Sequence, residues 1–268
     1  MFIQNVVANA IVINHNSPNK KLSIFFVIAF KLYHIYDKVK SIMMKAENIF
    51  DDIEPMMAWW VDDNAKDVSD LAQIADTAID KHIPFISVPC DVVKTFWPWI
   101  EKTDIKLMTR FNFMGDENHD FDVAVSDLAT KVTTTFRQGA DGVQIFVPYS
   151  QIADFMNAIK IIRNDLFFDK YVSIGIDIDE KQDIDWQYVF DALGAIKPNA
   201  VLLVGYEQKF NPNSDFAGRI FDMLQKWNLR SDLHLMFGKN MLRVSQVLRL
   251  VEKMRPEASK NIRVFIEQ

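Results

Sequence analysis

One cysteine in 268 residues, Cys90, cannot form an internal disulfide or a cysteine-based zinc cluster. That scarcity fits a reducing interior, so a cytoplasmic location is the expectation. Basic side chains number 30 against 36 acidic ones, giving a formal net charge of −6. With no dense Lys/Arg stripe either, a broad nucleic-acid surface is excluded as an expected partner. Long apolar stretches are missing too. Residues 22–30 form a run of nine before Lys31 breaks it, too short to cross a bilayer, so no membrane partner is expected. No glycine-rich nucleotide loop follows any apolar run, and no Gly/Ser- or Pro-rich linker divides the chain. None of these features calls for a cofactor.

What is present is enough apolar material, 49% of the residues, for one large core. Residues 1–43 are unlike the rest: Lys20-Lys21 precede the run at 22–30, as in a signal peptide, but no small-residue cleavage site follows. This segment is expected to be an extension, either not native, with Met43 or Met44 as the start, or docked as an amphipathic helix. Residues 44–268 then form the single domain.

Within it, 105–113 and 142–147 are apolar runs flanking a helical pattern, in which Phe121, Ala124, Val125, Leu128, Val132 and Phe136 recur at three- and four-residue steps. Asn118 or Asp120 can cap that helix, and Gly139 sits where a left-handed C-terminal residue is wanted. This is a βαβ unit, which implies parallel strands. A lead-in helix at 47–52 and further strands at 56–61, 84–88, 171–178, 200–204, 233–237 and 262–266 alternate with helices at 66–81, 150–164, 184–196, 215–227 and 244–254; a shorter one carries Val92, Val93, Phe96 and Ile100. Eight strands at roughly thirty residues per unit predict a (β/α)8 TIM barrel. Gln268 follows the eighth strand directly, so the closing helix of such a barrel is expected to be missing, with the N-terminal segment a candidate to fill its groove.

The central run carries Asn112-Phe113, Gly139-Ala140-Asp141 and Pro148-Tyr149 in order. In this it resembles the deoxyribose-phosphate aldolases, and the resemblance can be followed from about Met56 to the C-terminus. It implies the same barrel, with catalysis at the C-terminal strand ends. The family works through a Schiff base: a strand-six lysine attacks the carbonyl, a strand-seven lysine lowers its pKa, and a strand-four aspartate moves protons. Laid on this chain, the nucleophile falls on Leu203, the aspartate on Gln144 and the second lysine near Phe237, with Lys239 two residues on. A leucine has no nucleophile, and Gln144 cannot take a proton at neutral pH. A two-residue shift moves a side chain about 6–7 Å along a strand, which disqualifies Lys239 as a simple substitute. Of the family's phosphate cradle only Gly205 and Gly238 keep the needed backbone freedom; Tyr206 and Glu207 follow the sixth strand, and Asn240-Met241 replace a glycine pair.

The resemblance thus implies a divergent barrel without Schiff-base chemistry, a pseudoenzyme or small-molecule binding protein. The ligand would be a sugar phosphate or aldehyde, and a homo-oligomer is expected. Asp177, Lys239, Gln144 and Asn112 are the residues left for catalysis; Gly205, Tyr206, Glu207 and Gly238 are those left for ligand binding. Two alternatives stand: an active lyase using a displaced Lys239 or Lys209, or an enzyme using carboxylates or a metal. For the latter, Asp62, Asp63, Asp177, Asp179 and Glu207 could ring the mouth and attract a hard cation. Asp91, Tyr149 and Glu267 are further polar candidates at strand ends. His82, His119 and His234 lack metal-ligand spacing and are expected on the surface or packed against strands. Trp59-Trp60, Trp97 and Trp99 are expected in core or interface packing.

Overall fold

A computed structural model describes residues 56–65, 67–112, 121–156, 159, 169–178, 183–205, 216–227 and 231–268. The expectations for residues 1–43, for a helix at 47–52 and for caps at Asn118 or Asp120 lie outside these. The barrel belongs to a compact unit, Met56–Gln268.

Eight strands close on themselves, all neighbours parallel: β1 (Met57–Trp60), β2 (Phe85–Pro89), β3 (Lys106–Asn112), β4 (Gly142–Phe146), β5 (Tyr171–Asp177), β6 (Ala200–Val204), β7 (Asp232–Met236) and β8 (Ile262–Glu267). β8 pairs with β1 through Val264–Met57 to Glu267–Trp60, which seals the sheet. Closed parallel strands are buried on both faces, which is why sequences such as AVLLV in β6 are apolar without alternation.

Between the strands run α1 (Val68–Asp80), α2 (Val93–Ile100), α3 (Phe121–Arg137), α4 (Trp186–Gly194), α5 (Phe216–Lys226) and α6 (Met241–Met254). Their starts are set by local chemistry. Asp67 accepts from the Ser69 N–H at 2.7 Å, Asp185 from Gln187 and Tyr188, and Asn240 from Arg243. Leu71, Ala75 and Ala78 turn one face of α1 inward; Val93, Phe96 and Ile100 do the same for α2. These meet Trp59, Val61, Ile86, Val88 and Leu107 on the outer face of the sheet. Gly139, between α3 and β4, has φ +111°, and a Cβ there would lie 2.2 Å from the Trp97 ring. It thus ends the helix as expected and also lets Trp97 pack close. Asp141 of the same turn accepts from the Leu107 N–H at 2.9 Å, tying β4 to β3.

The pairing registers place the inward side chains in layers of four from alternate strands, the stagger of an eight-stranded barrel. From the C-terminal mouth downward, the first layer is Asp62, Asn112, Asp177 and Gly238. Then follow Pro89, Phe146, Val204 and Glu267; Trp60, Arg110, Gly175 and Met236; and Ser87, Gln144, Leu202 and Phe265. Below lie Ala58, Met108, Ser173 and His234, and then Phe85, Gly142, Ala200 and Arg263. Ring contacts agree with this order: Trp60 meets Phe146 at 5.8 Å and Phe265 at 6.2 Å, and His234 meets Phe265 at 5.2 Å.

Candidate active site at the barrel mouth

Arg110 brings a cation into the barrel's upper interior. It is 8% exposed, and its guanidinium carbon lies 4.2 Å from the centre of the Trp60 ring. Nη1 donates to the Ser87 carbonyl at 3.0 Å, Nη2 donates to the Val61 carbonyl, and both Nε and Nη2 reach Asp63 Oδ1, at 3.0 and 2.6 Å. Two backbone carbonyls and an aromatic face therefore fix the group, while its carboxylate partner is 75% exposed at the surface. Beside it, the Phe146 ring lies over Gly175, where a Cβ would approach to 2.5 Å. Trp60, Arg110, Phe146, Met236 and Phe265 thus pack the upper interior of the barrel.

Below this plug the interior is polar. Ser87 Oγ donates to Gln144 Oε1 at 2.6 Å. At the floor the Tyr171 hydroxyl donates to Asp232 Oδ2 at 2.8 Å and lies 3.2 Å from His234 Nε2, with the two rings stacked. Burial, and then the positive charge of Arg263, hold His234 down to a pKa of about 3, so the ring is neutral. Burial and the Asp232 hydrogen bond push the Tyr171 hydroxyl well above its ordinary value.

In solved structures the same architecture recurs. A Toxoplasma gondii ME49 protein with a provisional deoxyribose-phosphate aldolase name superposes with a TM-score of 0.62, at 10% identity over 84% of this chain and 92% of that one. QR15, an aldolase, gives 0.58 at 10% identity over 80% and 91%. The deoxyribose phosphate aldolase from Aeropyrum pernix gives 0.54 at 9% identity over 82% and 87%. The fold is that of the deoxyribose-phosphate aldolases. No protein-family model matches the chain, and no curated protein matches it in sequence.

On this aldolase-type barrel the expected site residues fall as follows. Leu203 is not an interior residue. It pairs with Ile176 and Leu235 and, by strand alternation, faces the helices, whereas Leu202 and Val204 belong to the inner cluster with Trp60, Met236 and Phe265. A strand apolar on both faces gives no parity in its sequence, so the outward facing of Leu203 was not readable from it. β6 has no lysine on either face. Gln144 does face inward, fully buried. On β7 the inward residues are Asp232, His234 and Met236, while Phe237 packs against Phe216. Lys239 is exposed on the turn after β7.

Asn112 and Asp177 share the mouth layer, Asn112 exposed and Asp177 half-buried. Gly205 is buried and its N–H donates to the Met236 carbonyl at 3.0 Å, so that group is already committed. Gly238 has φ +55° and lies against Glu267 Oε2, 3.5 Å from where a Cβ would stand. Tyr206, Glu207, Lys209, Asp179 and His119 lie outside the described residues. Asp62 Oδ1 accepts from the backbone and side-chain nitrogens of Asn64, and Tyr149 Oη accepts from the Asp185 N–H at 3.0 Å. Both groups therefore serve local structure. Asp91 lines a groove with Cys90 and Lys131 on the outer side of the barrel. Among the described residues no group of three or more His, Cys, Asp or Glu is placed to hold a metal ion. Nor is any described helix long and apolar enough to cross a membrane.

Arg110 escaped the sequence reading. Its signal was parity: it stands two residues before Asn112, so an inward Asn112 at the strand end requires an inward Arg110. Ser87 and Ser173 were missed for the same reason. His234 is strand-packed, as expected.

Proposed function

We propose that this is an aldolase-type barrel that has given up Schiff-base catalysis and acts as a small-molecule-binding protein, or as the inactive partner of an active relative. One observation carries the reading. The inward side chains of β6 are Ala200, Leu202 and Val204, and across the same layer Gln144 stands where the family would have an acid. Carbinolamine formation needs a neutral amine at the carbonyl and a group to shuttle protons. Methyl groups and a neutral amide supply neither. The same space is filled by Trp60, Phe146 and the Arg110 guanidinium, so a sugar phosphate or aldehyde would bind at the layer of Asp62, Asn112, Asp177 and Gly238 rather than inside.

Asn112 and Asp177 are the residues we assign to ligand hydroxyls, with Gly238 and Glu267 at the opposite wall. A cytoplasmic location and self-association complete the proposal. The Aeropyrum pernix relative is described as a tetramer, which supports looking for an oligomer here.

The test combines binding with turnover. Thermal-shift titration with deoxyribose 5-phosphate and simple aldehydes is expected to register a ligand. Assay of the same samples for acetaldehyde release from deoxyribose 5-phosphate is expected to show none. Release of acetaldehyde that survives repurification and vanishes in Lys239→Ala would overturn the reading in favour of a displaced lysine.

A further inference from the structure

Inside the barrel, besides Arg263 Nε at the floor, three side-chain atoms have no hydrogen-bond partner among the described residues: Gln144 Nε2, Ser173 Oγ and His234 Nδ1. All three residues have zero exposure. They are also neighbours. Gln144 and Ser173 are direct partners across the β4–β5 pair, both facing inward, and Ser173 and His234 share one layer. Around them stand Ala58 and Met108 in that layer and Ala200 on the strand between β5 and β7. Thr109, also unpartnered, faces outward by strand alternation and is no part of the group.

The neighbours fix what each atom offers. Ser87 Oγ lies 3.4 Å from Arg110 Nη1, which only donates, so the Ser87 hydrogen is free for Gln144 Oε1 at 2.6 Å. The Gln144 amide nitrogen is thereby turned to the interior with its hydrogens unused. The Tyr171 hydroxyl spends its hydrogen on Asp232, so its oxygen accepts from His234 Nε2 at 3.2 Å. The imidazole then carries its proton on Nε2, and Nδ1 is a bare acceptor. The site presents a donor, an acceptor and a hydroxyl that can be either.

We propose that this site binds one neutral, water-sized hydroxyl molecule, in the cell a water. It accepts from Gln144 Nε2, donates to His234 Nδ1 and bonds Ser173 Oγ. Buried polar atoms are almost always satisfied, and a polar cavity with two to four partners holds water where an apolar one stays dry. A cation is disfavoured, because the Arg263 guanidinium faces inward beside His234 on the neighbouring strand. With the water in place a hydrogen-bonded axis runs through the barrel from mouth to floor: Asp63, Arg110, Ser87, Gln144, water, His234, Tyr171, Asp232.

A crystal structure of the full chain at water-resolving resolution tests this, together with counting of long-lived internal waters by oxygen-17 relaxation dispersion. The expected result is one density peak within hydrogen-bond reach of all three atoms. Ser173→Val, which fills the space, should lower the water count by one and move the His234 Nδ1 resonance. Ser173→Ala, which leaves room, should keep the count. The proposal is overturned by direct bonds among the three side chains with no density between them, or by a proton on Nδ1. An unchanged count in Ser173→Val would also overturn it; if that variant does not fold, the unsubstituted chain's density and nitrogen spectrum decide.

Discussion

Gly175→Ala is the sharpest probe of the plugged mouth. A Cβ at this position would stand 2.5 Å from Phe146 Cδ1 and 2.8 Å from Cε1. Carbon atoms want about 3.5–4.0 Å, so the ring must retreat by about 1 Å. It cannot do so freely, because Trp60 meets it edge-on at 5.8 Å and is itself held by Phe265 and Arg110. Overpacking of this kind costs about 1–3 kcal/mol. Phe146→Leu alone should also destabilise, by removing aromatic contact with Trp60. In the double variant the smaller side chain makes room for the methyl, so the two costs should fall short of their sum by about 1 kcal/mol or more. Urea denaturation of the four proteins measures this. Strictly additive losses, or a Gly175→Ala protein as stable as the parent, would mean that Phe146 does not lie across the barrel and that the interior is open.

Other substitutions test other parts of the account. Gly139→Ala combines a left-handed backbone with a 2.2 Å clash against Trp97, and should cost about 2 kcal/mol or more by the same denaturation assay. Arg110→Met strips donors from the Val61 and Ser87 carbonyls and should cost about 1–3 kcal/mol, whereas Asp63→Asn, at an exposed partner, should cost less than about 1 kcal/mol. A larger effect at Asp63 would contradict the view that carbonyls and Trp60 hold the guanidinium. His234 is neutral in the fold with a pKa near 3, against 6.5 when unfolded, so the unfolded chain binds the extra proton first as pH falls. Its contribution is complete above about pH 6.5 and is lost between there and pH 3, at up to about 1.4 kcal/mol per pH unit. In His234→Phe the stability–pH curve should flatten in that window, and an unchanged slope would refute the assignment.

The barrel was legible from the sequence because its cues are local and repeated. Apolar runs with the length of strands alternate with amphipathic helices, and Gly139-Ala140-Asp141 marks a compact turn whose glycine and aspartate both have visible duties in the structure. The interior was less legible. Strands buried on both faces, such as β6, give no alternation, so the sequence could not show that Leu203 faces outward while Leu202 and Val204 face the interior. Long-range arrangements were hidden as well. The meeting of Asp63 with Arg110, or of Tyr171 with Asp232 and His234, depends on barrel closure and not on sequence spacing. The absence of a lysine from β6 holds whichever face is considered, because all five residues of that strand are apolar.

Borohydride reduction in the presence of acetaldehyde or deoxyribose 5-phosphate, read by intact-mass and peptide mass spectrometry of the full chain, measures Schiff-base formation itself. The account predicts an unmodified mass under conditions that label an active aldolase completely. A stoichiometric adduct mapped to one lysine would contradict it.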